Sequence, residues 1–187
     1  MSPSAIELPD HQMLALSRSA LAALRSALLR DADIGGAGYL QQAGYAGSEA
    51  VYRSFREWLR GRIAAEPGEL ELDEFAELAS GYFRDMGWGS LRLGALRDAV
   101  ATVDSDDWGE SDPESALAYP ACHLTTGMLA GFFGHVASTP LAVLEVECRS
   151  MGSPRCRFLL GTGAVMNHVY HEIERGVGYE EAVAGVE

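Results

Sequence analysis

Between Leu141 and Leu160 the chain reads as strand, turn and strand with a cysteine on each arm, and this hairpin constrains the fold more than any other segment. The first arm is Leu141-Ala-Val-Leu-Glu-Val-Glu-Cys-Arg149, the turn Ser150-Met-Gly-Ser-Pro154, and the second arm runs from Arg155 to Leu160. Folding about Gly152 sets Cys148 opposite Cys156, with Cβ atoms about 4.5–5.5 Å apart. Three readings fit that separation. Two thiolates can share a tetrahedral ion with Zn–S bonds near roughly 2.3 Å, completed by Cys122 and one carboxylate. A Cys148–Cys156 disulfide has similar geometry, and three small buried core residues are a common fate of free cysteine. An odd number of cysteines and the lack of a signal-peptide pattern weigh against the disulfide. Cys-x7-Cys is not a standard zinc-finger spacing, so spacing alone does not choose between the other two.

Composition removes several functions. All fourteen basic residues are arginine, which excludes a Walker-A lysine, a kinase-type lysine and a Schiff-base lysine. No Gly-x-Gly-x-x-Gly fingerprint follows a strand, so no nicotinamide site of the doubly wound type is visible. A formal charge of −13 repels nucleic acid and anionic membrane surfaces, and neither is expected as a partner. No window approaches the roughly 18 apolar residues of a membrane span, which makes a cytoplasmic, soluble protein the expectation.

At 187 residues the chain suits one domain, with residues 1–68 as a helical N-terminal extension and 69–187 as the metal-binding part. Residues 1–9 read as a loose arm. Helical spacing from Asp10 through Leu14, Leu21, Leu24 and Leu28 predicts a first helix, closed by Arg30-Asp-Ala-Asp33 before Gly35-Gly36. Tyr39 to Tyr45 reads as a short glycine-bounded segment, followed by a helix with Val51, Tyr52, Phe55, Trp58, Leu59 and Ile63 on one face, ended by Glu66-Pro-Gly68. That aromatic stripe reads as core. Asp73 offers an N-cap for a helix with Phe75, Leu78, Tyr82, Phe83 and Met86. Gly87-Trp-Gly89 opens a β region with strands at 90–93 and 99–104. The five carboxylates and Trp108 between Asp104 and Pro113 read as a solvated loop, without the ordered spacing of a calcium site. A helix over 125–137 places Gly127 and Gly131 on one side, where another backbone can approach closely. Met166, Val169, Tyr170 and Ile173 mark a C-terminal helix. The order predicts an α+β fold, N-terminal helices plus an antiparallel sheet covered on one side.

The pattern Pro120-Ala-Cys122, Thr126-Gly127-Met-Leu-Ala-Gly131, Glu145-x-x-Cys148, Met151-Gly152 and Cys156-Arg-Phe158 resembles the 4-vinyl reductase domain. It is most similar to the version found in sensor modules of bacterial aromatic-responsive activators, with weaker similarity upstream through Gly44-Tyr-Ala-Gly47 and Gly87-Trp-Gly89. The resemblance implies the fold of those sensors and of small TRAPP vesicle-tethering subunits, an enclosed apolar pocket and a homodimer. It also implies a structural zinc ion on Cys122, Glu145, Cys148 and Cys156. Geometry does not select Glu145, because residues 145 and 148 differ in parity and a flat strand turns them to opposite faces. A bulge must intervene. Glu147 sits opposite Arg157 in the hairpin register, where an ion pair accounts for it.

Three functions are open at this level. The first is a sensor or carrier for a small apolar or aromatic molecule, its signal passed through a homodimer or a separate effector protein. The second is an enzyme of tetrapyrrole or aromatic metabolism, although no cofactor site, Ser/His/Asp set or carboxylate pair stands out. The third is a redox or metal sensor built on the thiolates, their charge offset by Arg149, Arg155 and Arg157. His168 and His171 share a helix face and could ligate a second metal with Glu172 or His135, but a solvated polar face explains them as well. His123 is placed to support the site from beside Cys122.

Overall fold

Glycines decide how the helical layer is built. The computed structural model describes residues 6–30 and 35–186. In it, helix α2 (Gly36–Ile63) runs unbroken through the segment whose glycines suggest a boundary, and it crosses helix α4 (His123–Ala137) at backbone contact. A Cβ on Gly44 would collide with the Leu124 carbonyl oxygen, and one on Gly127 with that of Gln41. A Cβ on Gly131 would collide with the Ser48 hydroxyl. The missing side chains therefore permit the close crossing, and the helix break expected near Tyr45 is absent because Gly44 is a contact point.

The first helix, α1, spans Arg18–Arg30 and not the longer stretch from Asp10. Leu8–His11 forms a 3-10 turn ended by Gln12 at φ 57°, and the Ser17 hydroxyl accepts from the Ala20 N–H at 3.2 Å to start the helix. Leu14 is consequently 95% exposed, outside the buried stripe to which its spacing assigned it. The proposed closing residues 31–33 and the start of the N-terminal arm, residues 1–5, lie outside the described residues. Helix α3 spans Leu72–Asp85, with Asp73 in its first turn and Glu71 at the N-cap position.

Strands β1 (Arg92–Arg97), β2 (Val100–Ser105), β3 (Ala142–Glu147) and β4 (Cys156–Gly161) form one antiparallel sheet in the order β1-β2-β4-β3. Alternation along β4 splits its side chains between two cores. Phe158 and Leu160 face α2, α3 and α4 with Phe55, Tyr82, Phe83, Trp108 and Phe132. Leu159 faces Met166 and Val169 of helix α5 (Gly163–Glu174) and Ala182 and Val183 of helix α6 (Tyr179–Ala184). The sheet is thus covered on both faces, not on one, because the C-terminal helix folds back across it. The architecture is otherwise the expected α+β one.

Phe132 sits at the centre of an aromatic cluster, 5.4 Å from Phe55, 5.1 Å from Phe83 and 5.2 Å from Phe133 between ring centroids. Val51, Phe55, Trp58 and Leu59 of the α2 stripe are core, as its periodicity indicated, whereas Tyr52 is half-buried and Ile63, at the end of the helix, is 40% exposed. Replacing Gly127 with alanine should destabilise the protein by at least about 2 kcal/mol, because backbone of α2 blocks the new methyl group. Urea unfolding measures this, and an unchanged midpoint would contradict the close crossing.

Candidate metal centre

A bulge in β3 solves the parity problem of Glu145. Glu145 pairs with Phe158 and Glu147 with Arg157, so Val146 is an extra residue against β4. The insertion turns Glu145 and the residues after Glu147 back into phase. Carried one step further, the register sets Cys148 beside Cys156 on the same face as Glu145. Cys148 remains extended at φ −137°, and a 3-10 turn at Arg149–Met151, closed by Gly152 at φ 89°, returns the chain to Cys156. Cys122 arrives from the N-terminus of α4, whose first turn begins immediately after it.

The fold brings the four residues together as one buried cluster, with a ligand atom of each within 4.8 Å of every other. The Cys122 sulfur lies 3.8 Å from that of Cys148 and 3.9 Å from that of Cys156. Tetrahedral coordination with metal–sulfur bonds near 2.3 Å requires edges of about 3.8 Å. All three cysteines are free thiols, so the disulfide reading is not what the structure contains. Glu145 Oε2 accepts the Cys122 N–H at 2.8 Å, while its Oε1 is buried without a hydrogen-bond partner. A buried acceptor left in this way costs about 1–3 kcal/mol, and a cation at the centre of the cluster would satisfy it. The residues present fit a metal ion.

Their electrostatics point the same way. Burial pushes the Cys122 thiol and the Glu145 carboxyl well above their ordinary ranges. Donation from the Cys122 and Cys156 thiols holds Cys148 well below the ordinary thiol range, helped by the Ala121 backbone. The interior therefore accepts one thiolate and resists further negative charge until a cation compensates it. The arginines do not supply that charge. Arg157 grips Asp104 at 2.7 and 2.8 Å, Arg155 grips Glu147 at 2.9 and 3.0 Å, and Arg149 reaches Ser111 at 3.4 Å. Glu147 is accounted for by these pairs and by the Tyr179 hydroxyl, 2.6 Å away.

Sequence reasoning missed a second buried carboxylate. Glu110 is 2% exposed and Trp108 fully buried, so the acidic run from Asp104 to Pro113 is not a wholly solvated loop. Glu110 accepts the backbone N–H groups of Leu124 and Thr125 at 3.0 and 2.7 Å and the Thr125 hydroxyl at 2.5 Å. It thereby caps α4 from outside, where the helix dipole favours an anion. Trp108 Nε1 donates to the same hydroxyl at 2.6 Å, and the buried Arg25 of α1 donates to the Glu110 carbonyl. Burial pushes the Glu110 carboxyl up, opposed by the bonds from Thr125 and Leu124 and by Arg25. A tryptophan in an acidic run just ahead of a helix was the available signal. Ser150 completes the support: its hydroxyl accepts from the Asp112 N–H at 2.9 Å and its carbonyl from the Leu117 N–H at 2.7 Å, tying this loop to the metal-binding turn.

Other sequence candidates fall elsewhere. His171 pairs with Glu174 at 3.1 Å on an exposed face, and His168 joins no cluster able to hold a metal among the described residues. His135 stacks on Tyr52 at 5.2 Å. His123 is half-buried on the wall of a cavity of about 690 Å³, and burial lowers its pKa. That cavity follows the outer edge of β3. Val143 and Val146 form one side and Tyr170, Ile173, Val177 and Tyr179 the other, with Glu145 reaching it from the cluster.

Residues 111–162 match the family model of the 4-vinyl reductase domain, the family that the sequence resembles. The structure is similar to the phenol-responsive sensory domain of the transcription activator PoxR, solved with phenol, at 18% identity and a TM-score of 0.58. That likeness covers 80% of this chain and 76% of the other. It is also similar to a trafficking protein particle complex subunit 3 from Naegleria fowleri covalently bound to palmitic acid, at 13% identity and a TM-score of 0.50, covering 77% of this chain and 93% of that one. An uncharacterized protein of Methanocaldococcus jannaschii, MJ0745, is 23% identical over 77 residues, spanning 41% of each chain. These likenesses establish the fold expected from the sequence.

Replacing Glu110 with alanine should cost roughly 3 kcal/mol, because it strands two N–H groups at the start of α4. Replacement with glutamine, which keeps one of the two acceptor oxygens there, should cost less. Equal losses in chemical denaturation would contradict the capping role.

Proposed function

We propose that the chain is a binding module for a small hydrophobic or aromatic molecule, braced by a structural Zn²⁺ on Cys122, Glu145, Cys148 and Cys156. The observation that carries this reading is the contact between the two sites: Glu145 belongs to the cluster and also lines the cavity along β3. A metal there would pin the N-terminus of α4, the end of β3 and the start of β4, and the first two of these line the cavity. Zinc suits the donor set, since three thiolates and one carboxylate favour a tetrahedral ion of borderline softness. The solved sensory domain of PoxR, which has this fold and is phenol-responsive, supports the ligand class.

We read the cluster as structural and not catalytic. The metal would be fully coordinated by protein, and the four donors are each at least 93% buried, which leaves no open position for substrate in the cluster as it stands. Complete burial of the three cysteines also disfavours a thiol-based oxidant sensor, whose cysteines need access. No helix among the described residues is long and apolar enough to cross a membrane. We read residues 1–187 as one domain with its helical part in 1–68, on the support of α2 and α4 sharing a single core with the sheet. We further read it as a cytoplasmic homodimer that signals through its own partner copy or a separate effector.

Native mass spectrometry of the purified protein tests the proposal. It should show one zinc per chain and a retained small organic molecule. No metal, with a mass two hydrogens short as a Cys148–Cys156 disulfide requires, would overturn it. Cys148→Ser and Cys156→Ser should each lose zinc and lower the melting temperature by several degrees, because metal binding and folding are coupled. Unchanged melting in both would contradict a structural metal.

A further inference from the structure

The cavity along β3 has an unusual charge balance. Its lining holds one carboxylate, Glu145, one imidazole, His123, and no arginine, in a chain that has no lysine. The guanidinium that touches a lining residue is already engaged: Arg157 reaches the Tyr179 hydroxyl at 3.1 Å but is held in a two-pronged pair with Asp104. Arg155 is similarly held by Glu147. Among the described residues, no uncompensated cation therefore stands ready at the cavity to receive an anionic ligand. None of the three cysteines lines the cavity either, so a thioester-linked acyl chain has no point of attachment there.

With a divalent ion in the cluster, the floor of the cavity carries net negative charge. Three thiolates and a carboxylate around a divalent ion leave a net charge of minus two. Glu145 is 7% exposed, with Oε1 buried and Oε2 taken by the Cys122 N–H, so the metal-loaded cluster acts on the cavity through its field and not through a free carboxylate oxygen. Tyr170 and Tyr179 add two aromatic rings to the same lining, and ring faces attract organic cations. Valine and isoleucine side chains supply the apolar remainder.

We propose that this cavity selects organic cations, namely alkyl- or arylalkyl-ammonium molecules. The apolar body lies against Val143, Ile173 and Val177, and the ammonium group lies against the rings of Tyr170 and Tyr179, within the field of the metal-loaded cluster behind Glu145. The inference rests on the reading of this cavity as the ligand site, and adds to it the charge of the ligand's head. It also separates this chain from a binder of fatty or aromatic acids, whose carboxylate would face the negative floor.

Calorimetric titration of the zinc-loaded protein with 2-phenylethylamine, 2-phenylethanol and phenylacetate tests it, with metal content measured on every sample. The amine should bind at least about tenfold more tightly than either of the others, as a partly desolvated charge pair implies. Ala37→Trp or Val177→Trp, which fill the cavity without touching a cluster residue, should abolish amine binding and leave zinc content unchanged. Binding of the alcohol or the acid equal to that of the amine would overturn cation selection while leaving the cavity as the ligand site. Amine binding that survives both tryptophan variants would place it elsewhere on the acidic surface and overturn the inference. No binding of any of the three would overturn the cavity reading as well.

Discussion

Four polar donors gathered in a dry interior are the constraint on which the rest of the structure depends. Three thiols and a carboxylate from three separate elements occupy space that would otherwise hold apolar side chains. One carboxylate oxygen among them is left without a hydrogen bond. Such a cluster is unfavourable as packing alone and becomes favourable once a cation joins it, so its metal would act as a cross-link between α4 and the β3–β4 hairpin. The hairpin turn and the loop ahead of α4 each serve to hold a donor in place. Glu110 and Trp108 fix the first turn of α4, and through it Cys122, while Ser150 locks the turn between Cys148 and Cys156 to the preceding loop.

The opposite face of the sheet carries a matching polar network. Asp104, Glu147, Arg155, Arg157 and the Tyr179 hydroxyl form a charged set across β2, β3 and β4, two carboxylates against two guanidinium groups. Exposed pairs of this kind contribute little individually, but the Asp104–Arg157 pair is two-pronged and largely covered. Tyr179 belongs both to this network and to the cavity lining. A molecule that moves Tyr179 would thus disturb Glu147 and Arg157, the residues next to Cys148 and Cys156. The Tyr179 hydroxyl thus adds a second link between cavity and hairpin, beside the residues of β3 that line the cavity directly.

Much of this is legible in the sequence because it follows from period and spacing. The strand–turn–strand pattern places Cys148 and Cys156, parity requires a bulge between Glu145 and Cys148, and the register puts Glu147 against Arg157. Each rests on the two-residue repeat of a strand, which tolerates few alternatives. The choice of Glu145 comes from family resemblance, since no local rule distinguishes which carboxylate turns inward. Gly127 and Gly131 are readable as a close contact, but Gly44 reads wrongly as a break: a glycine's meaning depends on the helix that crosses it. Glu110 and Arg25 stay hidden for a similar reason. Burial of a charge is decided by partners distant in sequence, here 85 residues apart.

X-ray absorption at the zinc edge of the metal-loaded protein tests the central claim most directly. The account predicts three sulfur ligands at about 2.3 Å and one oxygen at about 2.0 Å, with the oxygen shell altered in Glu145→Cys and the sulfur count falling to two in Cys156→Ser. A shell made only of nitrogen and oxygen, or zinc that does not stay with the protein at all, would contradict it.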